Sequence, residues 1–222
     1  MIKSIGIIGG AGPMAGVALC ERIIRIANVQ YKCVKDCDFP RLVLISFPFS
    51  DMLSDNIDTQ RICAELEDCI QELKRNGAVV MAIACNTLHA FIDTAQEGFI
   101  SLPEVTKAAI DNGEIPLVLC TSTSRNKKVH SSFFPCIYPD NDTQKQVDYL
   151  IEAILQGKRP YKQLSALIRA QDVRTVILGC TELSLMTQQL RTPNHVIIDP
   201  LDLVAQTLLK QFFINKLGGN YV

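Results

Sequence analysis

Two short motifs hold the residue types that acid–base chemistry requires. Cys85-Asn86-Thr87, with His89 close behind, follows the apolar run Ala78-Val79-Val80-Met81-Ala82-Ile83-Ala84, and Cys180-Thr181-Glu182 follows Val176-Ile177-Leu178-Gly179. A thiol where a strand ends and a helix begins meets free backbone N–H groups, which favour its thiolate. Asn86 and Thr87 add donors suited to a carboxylate. His89 reads either as a group that orients or charge-balances the thiol or as a partly exposed helix residue. Glu182 reads either as a site group or as a favourable first-turn charge. The two segments share one order and lie 95 residues apart, close to half the chain. A proton α to a carboxylate is very weakly acidic. Removing it without a cofactor needs a base held close and donors on the developing charge. Racemisation needs a second acid on the opposite face, and two thiols, one ionised and one protonated, meet that need if each titrates near the working pH.

A third motif is Gly9-Gly10-Ala11-Gly12-Pro13-Met14-Ala15-Gly16. Gly10-x-Gly12-x-x-Ala15 fits the loose dinucleotide pattern, but the next strand ends in Ser46-Phe47-Pro48, without the acidic residue a ribose needs. Two other readings stand beside it: a helix N-terminus offering N–H groups and a positive dipole end to a small anion, and a tight strand–helix turn with no ligand.

These motifs must be positioned by strands and helices that alternate. Strands are expected over 4–8, 41–47, 78–84, 117–120, 174–178 and 196–198. Helices are expected over 13–30, 59–76, from about 87, over 142–156 and 161–170, after 181, and over 201–217. Apolar residues Ile62, Leu66, Cys69, Ile70 and Leu73 form a helical stripe, and Gly77 and Gly157 suit helix ends. Such alternation means parallel sheets covered by helices, with ligands at the carboxyl ends of the strands. The echo between the two cysteine motifs reads as two similar α/β halves, the other reading being a coincidence between two buried strands.

The 222 residues correspond to about 1.5 domains at roughly 150 residues each. Lys and Arg number 22 against 23 Asp and Glu, which speaks against a protein built on phosphate-backbone contacts. No apolar run approaches the roughly 18 residues of a membrane span, and the opening stretch is too short for a signal peptide, so no membrane or nucleic-acid partner is expected and the compartment is expected to be cytoplasmic. Nine cysteines without a secretory signal read as reduced thiols. Cys33-x-x-x-Cys37 has no second ligand pair, so no metal site is expected.

Four segments together resemble the aspartate/glutamate racemase superfamily, within it the aspartate racemase type. They are Ile5-Gly6-Ile7-Ile8-Gly9-Gly10-Ala11-Gly12-Pro13, Ala84-Cys85-Asn86-Thr87-Leu88-His89, Ile177-Leu178-Gly179-Cys180-Thr181-Glu182 and Ile197-Ile198-Asp199-Pro200, in the family's order across almost the whole chain. The resemblance implies two pseudo-symmetric α/β domains, each a mainly parallel sheet flanked by helices, with the active site in the cleft between them. The domains would be 1–100 plus 201–222, the C-terminal helix returning to the first, and 101–200. It implies a cofactor-independent amino-acid racemase, an isomerase using neither pyridoxal phosphate nor metal, and a homodimer. Cys85 and Cys180 would be the two catalytic acid/bases. Gly10, Ala11, Ser50, Asn86, Thr87, Ser122, Ser124 and Thr181 would bind the amino-acid substrate, supported by His89 and Glu182. Thr121-Ser122-Thr123-Ser124 stands where the family has a Thr-rich anion-binding turn.

The chain departs from the family where side chains are recognised. No Arg follows Pro48 before Arg61, and Leu155 stands where aspartate-selective members hold Lys. A β-carboxylate thereby loses its best partner. Either Arg125, Lys127 or Lys128 substitutes, or the side-chain pocket is neutral and lined by Phe47, Phe49 and Met52. Other readings are a hydantoin racemase, a maleate isomerase, a decarboxylase relative, or a non-catalytic small-molecule binder.

Overall fold

A computed structural model describes residues 2–50, 58–92 and 98–216. The first sheet is wholly parallel, in the order β2-β1-β3-β4, with β1 Ser4–Gly9, β2 Arg41–Ser46, β3 Ala78–Ile83 and β4 Phe99–Ile100. Its helices are α1 Pro13–Tyr31, α2 Thr59–Arg75 and α3 Leu102–Ala108. The second sheet, also parallel, runs β5-β6-β7, with β5 Leu117–Leu119, β6 Thr175–Leu178 and β7 Val196–Ile198. Its helices are α4 Ser122–Asn126, α5 Asn141–Leu155 and α6 Tyr161–Arg169, and α7 Pro200–Lys216 is the last described element.

The period-two alternation of the strands decides which helix each residue meets. Ile5, Ile7, Val80 and Ala82 pack with α1 and α7 through Leu19, Ile23, Val204 and Leu208. Ile8, Met81 and Ile83 face the other way, onto the stripe Ile62, Leu66, Ile70 and Leu73 of α2. Cys85 falls in step with Met81 and Ile83 and shares their cluster. In the second sheet Val176, Leu178 and Cys180 lie on one face against α5 and α6. The alternation that builds each core therefore also aims each thiol.

Both sheets are covered by helices, as an alternating pattern requires. Sequence periodicity passed over β4, with only two residues, and α3, which begins Leu102-Pro103 behind the Ser101 N-cap. The stretch after Asn86 is not a long helix among the described residues but a single 3-10 turn, Thr87–Ala90. The expected turn at 121–124 is instead the start of α4, capped by the Thr121 hydroxyl, which accepts from Ser124 N–H.

Among the described residues, three hydrogen-bonded links join the two halves. The Thr181 hydroxyl donates to Ala84 O at 3.1 Å, and the Thr87 and Ser124 hydroxyls bond at 2.8 Å. Buried Arg22 on α1 reaches Asp199 Oδ2 at 2.8 Å and donates to Ser184 O at 2.6 Å. Asp199 also accepts from the Thr187 hydroxyl and from Leu201 N–H, so it ties the end of β7 to the start of α7.

Candidate active site

In the first sheet the chain leaves β1 toward β2 on one side, then returns past β1 to β3 on the other. Ligands of open α/β sheets bind at such a switch, outside the strands' carboxyl ends. Ala84 N–H donates to Ile8 O at 2.8 Å, which fixes Cys85 beside the glycine loop that follows β1. Cys180 N–H donates to Leu119 O at 3.1 Å and sets the second thiol at the end of β6, beside Thr121. Both cysteines are buried, and both open on one cavity of about 170 Å³. Its wall is completed by Ala11 and Gly12, by Asn86 and Thr87, by Gly179, Thr181 and Glu182, and by Phe49, Ser50, Ile151 and Leu155.

The surroundings of the two sulfurs differ. Burial pushes the Cys85 thiol up to about 12, helped by the Glu182 charge; Leu88 and Thr87 N–H and the Thr87 hydroxyl act against this. Burial likewise raises Cys180 well above an ordinary thiol. Its Sγ donates to Glu182 Oε2 at 2.9 Å, which holds the proton on sulfur. Glu182 is itself raised by burial and is only 6% exposed.

Glu182 also explains one glycine. Gly12 has φ +80°, and a Cβ there would lie 1.5 Å from Glu182 Oε1. The carboxylate therefore rests against the N-terminus of α1, and the anion at this helix end is the protein's own. The cavity is smaller than the ~300–1,000 Å³ of drug-sized ligands, so it suits a small molecule and not a dinucleotide.

Asn86 is 2% exposed and lines the cavity, yet its Oδ1 and Nδ2 have no partner. A buried amide left unsatisfied costs free energy, and here it offers one acceptor and two donors to a ligand. His89 is buried rather than partly exposed. Its Nε2 accepts from Leu102 N–H at 3.2 Å, which leaves the proton on Nδ1 to be donated to Cys85 O at 2.9 Å. Burial holds it down to about 4, so it is neutral and positions the Cys85 backbone without charge-balancing the sulfur.

Of the other expected contacts, Ala11, Ser50, Thr87 and Thr181 line the cavity and Gly10, Ser122 and Ser124 do not. At Gly10, φ is +105° and Phe47 O lies 1.9 Å from where a Cβ would be, so this glycine serves the packing of β1 against β2. The Ser122 N–H and hydroxyl are both taken by Asp148, and Ser124 is bonded to Thr87 and Thr121. From that turn, Thr121 reaches the wall instead. The Ser50 N–H and hydroxyl donate to Glu65 at 3.1 and 2.8 Å. Gly179 admits close packing by the protein's own core, since a Cβ would meet Val118 Cγ1 at 2.5 Å.

None of the three proposed substitute cations lines the cavity. Arg125 donates to Asn141 Oδ1 at 3.4 Å, Lys127 lies over the Phe91 ring, and Lys128 is exposed. Phe49 is in the wall; Phe47 packs against it with tilted rings, centroids 4.9 Å apart, and Met52 lies outside the described residues. Sequence reasoning missed Ile151. The signal was available, because Ile151 stands one helical turn before Leu155 on the same face of α5.

Residues 8–208 match the profile described as Asp/Glu/Hydantoin racemase. The chain is 22% identical to the broad specificity amino-acid racemase RacX of Bacillus subtilis (strain 168), over 92% of this chain and 96% of that protein. Among solved structures it resembles the Picrophilus torridus aspartate racemase, with a TM-score of 0.75 and 23% identity over 95% of this chain and 94% of the other. It also resembles a putative Asp/Glu racemase from Yersinia pestis, with a TM-score of 0.73 and 20% identity over 96% and 100% of the two chains.

Proposed function

The chain belongs to the Asp/Glu/hydantoin racemase family, and from that premise we propose that it interconverts L- and D-amino acids through Cys85 and Cys180 as paired acid/bases. The observation that carries this reading is that two buried thiols, each at the end of an equivalent parallel strand, open on one small cavity.

The asymmetry around the sulfurs assigns their resting states. Cys85 is met by N–H and O–H donors, which favour its thiolate, whereas Cys180 gives its proton to a hydrogen bond with Glu182. An incoming α-ammonium group adds a positive charge that lowers both thiols toward working pH. Cys85 then removes the α-proton from one face, and Cys180 delivers its own to the other. Charge building on the substrate carboxylate is met by the Asn86 amide, whose donors are unpaired and therefore ready. The Thr181 hydroxyl proton is held by Ala84 O, so this side chain presents an acceptor, suited to the ammonium. After one turnover the thiols have exchanged roles, and the reverse reaction starts from the other face.

The same reading needs no cofactor or metal, and divides the chain into 1–100 plus 201–222 and 101–200, with α3 of the second segment packing on the first sheet's core. That division is supported by the packing of α7 with α1 in one cluster. A homodimer is supported by Met14, Val17 and Ile24, which are exposed and share a face of α1. The nine free cysteines suit the reducing cytosol.

The test is chiral chromatography of single-enantiomer amino acids after dialysis against a chelator. Cys85→Ser and Cys180→Ser are each expected to lower racemisation at least about 1,000-fold, with circular dichroism unchanged. Near-wild-type turnover in either variant would refute the two-thiol mechanism.

A further inference from the structure

Resting on the racemase reading above, the geometry points to an amino acid with an uncharged, apolar side chain as the substrate, and away from aspartate and glutamate. Cys85, Cys180, Asn86 and Thr181 occupy the end of the cavity where the α-carbon and its two polar groups must lie. What remains for the side chain is Phe49, Ile151 and Leu155. Ile151 is buried and Leu155 is 44% exposed, so this apolar wall runs from the interior to the mouth.

No Lys or Arg lines the cavity among the described residues. Among the described residues, the carboxylate that lines the cavity is that of Glu182. Glu65 stands behind Ser50 with its partner Arg61 turned to it at 3.0 Å. A side-chain carboxylate entering here would be desolvated against three hydrocarbon side chains with no cation to pair, and would meet a carboxylate instead. A methyl, isobutyl or thioether group loses nothing by leaving water and gains contact with Phe49, Ile151 and Leu155. The cavity of about 170 Å³ admits such an amino acid, and the exposed rim at Leu155 lets a longer apolar chain extend outward.

The experiment follows loss of the α-proton signal in D₂O by NMR for alanine, valine, leucine, methionine, aspartate, glutamate, lysine and arginine. Binding of leucine and aspartate to the Cys85→Ser variant is measured beside it by calorimetry. Leucine or methionine is expected to exceed aspartate and glutamate in kcat/KM by about 100-fold or more. Leu155→Lys places a cation on the exposed rim and is expected to raise kcat/KM for aspartate about tenfold or more while lowering it for leucine. Preference for aspartate, glutamate, lysine or arginine in the unmodified enzyme would overturn the inference. Absence of exchange with every amino acid, while leucine binds and aspartate does not, would refute the racemase reading and leave the side-chain preference standing. Equal or no binding of the two would overturn the preference as well.

Discussion

At the scale of single residues, the proposed chemistry turns on how a buried carboxylate acts on one of two thiols. Glu182 accepts from the Cys180 sulfur, and its charge and hydrogen bond both raise that thiol. Glu182→Gln keeps a hydrogen-bonding group beside Gly12 and removes the charge. Cys180 should then ionise at lower pH. Because both thiols are raised above their ordinary range, kcat/KM of the unmodified enzyme is expected to climb as pH rises from 6 to 9, following the thiolate fraction. In Glu182→Gln the climb should begin at lower pH in the direction that uses Cys180 as base. A profile identical to the parent would show that the carboxylate does not govern the sulfur. His89 has a different task. It fixes the carbonyl of Cys85 as a neutral ring, so its mutation acts through the placement of the strand end.

At the scale of elements, two strand ends are held at one cavity by a few polar links between packed layers. The Arg22 guanidinium is buried and joins α1 to Asp199 and to Ser184 in the 3-10 turn Leu183–Gln189, just beyond Glu182. Removing one partner of a buried ion pair leaves the other uncompensated, at a cost of about 3–5 kcal/mol. Arg22→Met is expected to lower the unfolding free energy by that amount in a urea titration and to raise KM, since the turn that Glu182 caps loses its anchor. A loss under about 1 kcal/mol would mean that apolar packing alone holds these elements together. The contact is absent from any local pattern: Arg22 sits in an amphipathic helix where an arginine reads as surface, and only the docking of α1 against the second half buries it.

At the scale of the whole molecule, two neutral histidines couple stability to pH. His89 and His130 are both buried and both held down to about 4, His130 by its burial and by the repulsion it would have with a charged His89. In the unfolded chain each takes up a proton near its ordinary value of 6.5. Their contribution to stability is complete above pH 6.5 and is lost as the pH falls from there toward 4. The unfolding free energy from urea titrations is expected to fall by a few kcal/mol across that window, and replacing His130 with an apolar residue of similar size should flatten the slope by about half. An unchanged slope in that variant would place the pH dependence in other groups.

The sequence by itself determined the alternation of strands and helices, because hydrophobic periodicity is set by local geometry and each element carries its own buried stripe. It also singled out the two cysteines proposed to act on the substrate. Cys85 and Cys180 follow continuous apolar runs of the kind found in buried parallel strands, as Cys120 does, but only these two share the echoed order of helix end, strand, cysteine and polar pair. Leu155 was readable as a missing charge. Tertiary structure alone decided what the charge was missing from. Ile151 and Leu155 on α5 and Phe49 after β2 are far apart in sequence, and only the packing of the second half against the first puts them on one wall. It likewise decided that Glu182 faces Gly12 and Cys180, that His89 is neutral and inward, and that Ser122 and Ser124 stand behind the cavity. Side-chain orientation and protonation depend on neighbours from distant segments, and burial, which raises both thiols and lowers both histidines, is a property of the assembled core that no local pattern contains.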